Sequence, residues 1–300
     1  MGEIISRNQR MKSHQEEVKS GNRFAFGANW KQFLDVLNDE RIAMAEESLK
    51  QMLQVKDLKN VRFLDVGSGS GLFSLAARRL GASVHSFDYD PQSVACTSEL
   101  KRRFYRNDPQ WRVEQGSALD TDYMEKLGRF DVVYSWGVLH HTGNMWKALD
   151  NVSRLAAGGR LFISIYNDQG RRSRLWRRVK KIYNGLPSPL KWLVLYPAWI
   201  VLWGPITVVD LLRAKPFRTW RDYAKQGARS MHPWYDLVDW VGGLPFEVAK
   251  PEEIFDFFQK KGFRLDHLVT CGGGLGCNQF VFTHNNSEDI HTDQETYLSP

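Results

Sequence analysis

Residues Val61 to Gly71 read VRFLDVGSGSG and run on into Leu72-Phe73-Ser74-Leu75-Ala76-Ala77. An apolar run of strand length that leads through three glycines into helix formers describes a buried strand turning sharply into a helix. Open α/β sheets bind ligands at such turns, outside the carboxyl ends of their strands. The glycine spacing narrows the ligand. A dinucleotide turn of the GxGxxG type needs a third glycine so that its helix packs closely on the strand, and that position holds Leu72. The chain instead sets Gly67, Gly69 and Gly71 at alternate positions behind Asp65. Alternating glycines let the backbone approach a ligand closely. A carboxylate just ahead of them suits a cation better than a pyrophosphate.

Working outward, further strand-like segments follow in order. Ser83 to Phe87 ends in Asp88-Tyr89, and Trp111 to Ser117 comes next. Phe130 to Ser135 (FDVVYS) leads into Trp136 to Thr142 (WGVLHHT), and Arg160 to Tyr166 (RLFISIY) follows Gly158-Gly159. Alternation of strands and helices from Val61 to Tyr166 predicts a parallel sheet with helices on both faces. Ahead of it, apolar positions at helical spacing from Trp30 to Leu53 predict one or two amphipathic helices. Phe26 and Trp30 are either aromatics that close over the cleft or anchors that pack these helices. At the other end, Phe263 to Thr270 and Gln279 to His284 are joined by Cys271 to Asn278 (CGGGLGCN). So short a link forbids a helical crossover and predicts an antiparallel hairpin. Pro251 to Lys261, stopped by Gly262, reads as the helix before it.

These segments, taken together, resemble the class I S-adenosylmethionine (SAM) dependent methyltransferases. Among them the chain is similar to the ubiquinone and menaquinone pathway group and its small-molecule relatives, over about Phe24 to His284 without the stretch 167–249. The resemblance implies a Rossmann-like α/β fold: a seven-stranded, mainly parallel sheet with an antiparallel last strand, carrying an α-helical insertion between strand five and the last helix. It implies SAM as cofactor, with its methionine end at Asp65 and the loop Gly67, Ser68, Gly69 and Gly71. The ribose hydroxyls then fall to Asp88, with Tyr89 beside it. Many relatives carry an acidic residue after the third strand; this chain has none at that place, so the adenine contact is left among Ser117, the Ala118 backbone and Asp120. Trp136 and Trp30 complete the expected cofactor set.

The same resemblance places a general base at His141, since members carry a histidine there and histidine titrates near neutral pH. His140 is its neighbour, and neighbours face different ways, so one of the two is structural. For His141 the alternative is a positioning residue that takes no proton. Tyr166, Asn167 and Asn278, with Asp168 and Gln279 next to them, are candidates to orient the acceptor, the alternative being that they cap local turns. The loop after strand four has neither the Asp/Asn-Pro-Pro-aromatic signature of base N-methylation nor the cysteine of cytosine-5 enzymes. Nucleic acid is therefore disfavoured, and the expected partner is a small-molecule or lipid-like acceptor.

Composition adds a second theme. The 300 residues carry a net charge of +7, concentrated where Arg171, Arg172, Arg174, Arg177, Arg178, Lys180 and Lys181 crowd together. Leu175, Trp176, Val179, Ile182 and Tyr183 form an apolar face on that stretch, as in a helix lying on anionic lipid; the alternative is a solvated helix packed on the domain. Just beyond, Trp192 to Val209 (WLVLYPAWIVLWGPITVV) has no charge over eighteen residues, long enough to count as a membrane span. One crossing would separate strands that must share a sheet, and Pro197, Gly204 and Pro205 are expected to break a straight helix. A broken hairpin or interfacial element lying in a membrane surface, or an apolar lid over the active site, remains.

The expected organisation is a helical cap (1–60), a SAM-binding core (61–166), the insertion (167–249), the last helix with strands six and seven (250–285) and a flexible tail (286–300). Cys96, Cys271 and Cys277 have no metal-like spacing and form no disulfide framework, which points to a reducing compartment and no metal. The start shows no apolar run of signal-peptide type. The expected location is cytoplasmic, peripheral to the inner face of a membrane if the insertion touches lipid. Two other readings stay open: methylation of a sugar or soluble natural product under an apolar lid, or a non-catalytic SAM-fold module that binds a membrane or partner.

Overall fold

The computed structural model describes residues 13–223 and 233–284. Seven strands form one sheet in the order β3-β2-β1-β4-β5-β7-β6. β1 (Arg62–Val66), β2 (Ser83–Asp88), β3 (Trp111–Gln115), β4 (Val132–Trp136) and β5 (Arg160–Tyr166) run parallel. β7 (Cys277–His284) lies antiparallel between β5 and β6 (Phe263–Val269). This is the mainly parallel sheet with an antiparallel last strand expected from the sequence.

The central strands are apolar on both sides because helices cover both faces. Phe63, Leu75, Trp111 and Phe162 sit in the apolar cluster on one face, and Leu64, Val133, Leu161 and Phe258 in that on the other. Chain order reverses between β1 and β4, and at such a switch point the strand ends part and leave a crevice.

Short polar side chains start the helices. Asn38 caps Asp39–Leu53, Asp90 caps Pro91–Phe104, Asp120 caps Thr121–Leu127 and Asn144 caps Met145–Leu155, each accepting a bond from a first-turn N–H that has no partner within the helix. The Asp120 carboxylate, weighed as an adenine contact, is thus engaged with Tyr123 N at 3.1 Å.

Between β5 and the last helix, Pro251–Gln259, the insertion forms the helices Arg171–Gly185, Trp192–Leu212, Arg218–Arg221 and Pro233–Gly242. Tyr183, Ala198, Trp203, Leu237 and Val241 from these helices bury a third apolar cluster together with Phe24. Two expectations are corrected here. First, Trp192–Leu212 is one continuous helix with Pro197 and Pro205 inside it. Each proline frees the carbonyl four residues earlier, and Leu193, Pro197, Val201 and Pro205 lie four apart on one outward stripe of exposed residues. The lost bonds therefore open away from the packed side. Second, the basic helix Arg171–Gly185 buries only part of its anticipated apolar face: Tyr183 is buried and Trp176 packs beside it, but Leu175 and Ile182 are exposed, while Ser173 and Lys180 are buried in their place. Lys180 goes inward because its ammonium finds a carbonyl acceptor, that of Trp240, near the end of Pro233–Gly242. The expected tail at 286–300 lies outside the described residues, as does the start of the cap.

Candidate active site

The glycine turn is built by its dihedrals. Gly67, Gly69 and Gly71 have φ of 79°, 55° and 83°, values that disfavour any residue with a Cβ. Packing tightens the requirement: a Cβ on Gly67 would lie 2.3 Å from a Val138 methyl, and one on Gly71 2.8 Å from Thr97 Cα. The turn folds back on the end of β2, where Gly67 N and Ser68 N both donate to the Phe87 carbonyl. Gly69 N donates to Asp88 Oδ2 at 2.9 Å, and Asp90 N donates to Asp88 Oδ1 at 2.9 Å. Asp65 and Asp88 thereby end adjacent strands on either side of the glycines.

Asp65 is 2% exposed and accepts a bond from the Ser74 hydroxyl. Ser74 pairs with Ser86, which also accepts from Trp111 Nε1 at 2.9 Å, so a buried polar chain fixes the carboxylate from behind. Burial pushes the Asp65 carboxyl up to about 7, and the Ser74 bond offsets this only in part. Asp88 is likewise pushed up to about 7, first by burial and then by the charge of Asp90, against the pull of the Gly69 and Asp90 amides. Both groups line one cavity of roughly 840 Å³. A positive charge there would favour the ionised form of both carboxyls.

An N-terminal strap roofs this end. Gly27 N donates to Asp90 Oδ2 at 2.8 Å, and a Cβ on Gly27 would meet Gln92 Cβ at 2.4 Å, so the helix Phe26–Phe33 sits hard against the helix that follows β2. The contact brings the Trp30 indole over Gly69, 3.0 Å from where a Cβ would stand. Arg23 Nη1 donates to the His141 carbonyl at 2.9 Å, Arg23 pairs with Glu17, and its guanidinium lies 4.8 Å from the Tyr89 ring centre.

At the far end, the turn Leu139–His141 after β4 presents His141 to the same cavity. His141 Nδ1 lies 2.6 Å from the Pro245 carbonyl. A carbonyl only accepts, so in the neutral ring Nδ1 carries the hydrogen and Nε2 the lone pair. Gly243 makes room, since a Cβ there would lie 2.8 Å from His141 Cε1. Phe26 and Tyr166 flank the imidazole at ring distances of 4.9 and 5.3 Å. Asp239, whose Oδ1 accepts from Asn29 Nδ2 at 2.7 Å, and Trp240 complete this wall.

A family model described as a methyltransferase domain matches residues 36–191, just over half of the chain. The chain belongs to the methyltransferase-domain family. Ubiquinone biosynthesis O-methyltransferases from Xanthomonas oryzae and Parvibaculum lavamentivorans are 34% and 31% identical to it over 112 and 120 residues. Those alignments cover 37% and 38% of the chain and 45% and 43% of the relatives, so the chain spans less than half the length of these two relatives. Among solved structures, PKMT2 from Rickettsia typhi, in complex with AdoHcy, superposes with a TM-score of 0.51 at 13% identity. It covers 81% of this chain and 53% of its own, a likeness of fold.

Within this methyltransferase domain, Asp65, Gly67, Ser68, Gly69, Asp88, Tyr89, Ser117, Ala118, Trp136 and Trp30 all line the cavity, with His141 and Tyr166. Four expected site residues do not. Gly71 stands behind the turn against Thr97. His140 is fully buried, its Nδ1 accepting from Tyr166 N at 3.4 Å. Asn167 and Asn278 bond each other at 3.1 Å, and Asn278 also accepts from Cys271 N, so the pair ties down the glycine-rich link of the hairpin. Gln279 takes the cavity side instead and accepts from Trp136 Nε1 at 2.9 Å.

The sequence reading does not single out Arg23, Asp239 or Trp240, and it counts Lys180 only among the basic cluster. Lys180 Nζ donates to the Trp240 carbonyl and sits 4.6 Å from the Trp240 and Phe246 ring centres, directly behind the cavity wall. Burial lowers its ammonium to about 7, with Asp239 pulling the other way. The one available signal was PWYDLVDWVG, where Asp236 and Asp239 stand three apart in an otherwise apolar helix and share a face.

Proposed function

We propose that this chain is a SAM-dependent methyltransferase that transfers its methyl group to an oxygen of a small or lipid-like acceptor, with His141 as the base. One observation carries the reading: one cavity has a buried carboxylate (Asp65), a half-buried one (Asp88) and a glycine turn at one end and the Nε2 of an oriented histidine at the other. SAM supplies a methyl group on a positively charged sulfur. Asp65 and Asp88 would hold the charged donor, Trp30 would cover it, and the glycine turn would let backbone lie against it. The acceptor oxygen forms its bond to the methyl carbon as the carbon–sulfur bond breaks, and the bonding pair stays on sulfur. The hydroxyl proton passes to His141 Nε2, and Tyr166 and Trp240 exclude water from the line of attack. Sulfur would leave uncharged, which removes one positive charge from the ligand while its α-ammonium and ribose hydroxyls are unchanged.

The three cysteines are free thiols, in keeping with a reducing cytoplasm. The exposed helix Trp192–Leu212 with its basic neighbours supports a foothold on the inner face of an anionic membrane. Calorimetric titration of the purified chain with SAM, and melting with SAM or its demethylated product, tests the reading. Saturable binding and a raised midpoint are expected; no heat and no shift with either ligand would falsify it.

A further inference from the structure

We propose that the helix Trp192–Leu212 is a two-sided entrance: its outer face rests on an anionic bilayer while its inner face admits, from that bilayer, an acceptor carried on a hydrocarbon chain. The inference rests on the methyltransferase reading and specifies its acceptor.

The helix has two faces with different neighbours. Leu202, Trp203 and Ile206 line the cavity that also holds His141 and Asp65. On the opposite side Ile200, Val201, Leu211 and Leu212 are exposed by 59%, 66%, 54% and 83%. A stretch of 25 residues here is long and apolar enough to cross a membrane, and only 11% of its most apolar window is buried. At 1.5 Å per residue the exposed stripe runs for roughly 30 Å, far more than the scattered apolar surface of an ordinary soluble domain. An apolar lid over a water-soluble acceptor needs only the inner residues; it gives no reason for the outer ones.

The helix rests on a bilayer and does not span it. Tyr183 before it and Leu237 and Val241 after it join one apolar cluster with Ala198 and Trp203, so both flanks return to the same side. β6 and β7, further along, complete the same sheet as β1 to β5. The stripe Leu193, Pro197, Val201 and Pro205 also turns two proline-freed carbonyls outward, and these need the water and headgroups of an interface, since hydrocarbon gives them no donor.

Charge selects an anionic surface. Exposed Arg213, Lys215, Arg218 and Arg221 follow the helix directly. Of the nearby acids, Asp222 pairs with Arg218 at 3.6 Å, and buried Asp210 is held by the amide and hydroxyl of Thr219 at 2.7 and 2.9 Å. Basic groups next to such a surface are attracted to its anionic headgroups.

The test uses vesicles of phosphatidylcholine with and without phosphatidylglycerol, at low and high salt. Co-sedimentation is expected only with phosphatidylglycerol and is expected to weaken with salt. The double variant Val201→Asp/Leu212→Asp, altered at two exposed positions, should lose tenfold or more in vesicle affinity while its SAM titration is unchanged. For the inner face, the chain is incubated with methyl-labelled SAM and phosphatidylglycerol vesicles that carry a total lipid extract of its source cells. The label should pass to the organic phase, and Ile206→Trp, which fills the entrance, should abolish that transfer while still sedimenting. Equal sedimentation with both vesicle types, an unaffected double variant, or label in the water-soluble fraction or in no product overturns the inference. Absence of SAM binding in the titration is a separate outcome that removes the methyltransferase reading and leaves vesicle binding standing.

Discussion

The two ends of the cavity are made of different material. The donor end is backbone and carboxylate, set by residues close together in sequence: Gly67 to Gly71 fold onto the end of β2, and Asp65 and Asp88 cap neighbouring strands. The acceptor end is aromatic and assembled from afar. His141 follows β4, its Nδ1 is fixed by Pro245, Tyr166 ends β5, Trp240 comes from the insertion and Phe26 from the strap. The contrast teaches that the donor end rests on the sheet and its glycine turn, whereas the acceptor end draws on the insertion as well, through Trp240 and Pro245.

Mutation can break that division of labour. The largest effect is expected from His141→Ala: turnover should fall by roughly a hundredfold or more, with calorimetric SAM affinity nearly unchanged. If SAM affinity collapses with turnover, the two ends are not separable. Next, Asp88→Asn should weaken SAM by roughly tenfold or more, since hydrogen bonds to charged groups contribute about 1.5 to 3 kcal/mol, without altering vesicle sedimentation.

A third expectation concerns pH. Asp65 and Asp88 titrate near 7 in the fold against 3.8 in the open chain. Their folded values are raised, so the stability they contribute is fully present below 3.8 and is lost as pH rises through about 7. Compared with an Asp65→Asn/Asp88→Asn variant, the ligand-free wild type should lose melting temperature between about pH 5 and about pH 8, and saturating SAM should cancel the loss. SAM affinity should rise over the same window. A flat difference across that range would contradict the buried-carboxylate account. The smallest effect is expected from Asn278→Ala, which loosens the hairpin link for a cost of about 1 to 3 kcal/mol and leaves SAM binding alone, as a melt and a titration would show.

The sheet and the donor end were legible because their signals are local. Three glycines two apart, an aspartate two positions ahead of them and an acidic strand end at Asp88 need no knowledge of distant residues. Placement at the acceptor end was harder to read. Asn167 and Asn278 stand at strand ends like true ligands, yet their mutual bond across the β5–β7 register turns both away from the cavity. Lys180 was indistinguishable from its basic neighbours, because burial of one lysine in seven charges is decided by the carbonyl of Trp240, 60 residues later. Pro197 and Pro205 were expected to interrupt their helix; their spacing put both defects on one open side.

Arg23 spans the seam between the two ends. Its guanidinium holds the carbonyl of His141, pairs with Glu17 and lies against Tyr89. Losing Arg23 would therefore untie the N-terminal segment from the backbone of the proposed base in one stroke.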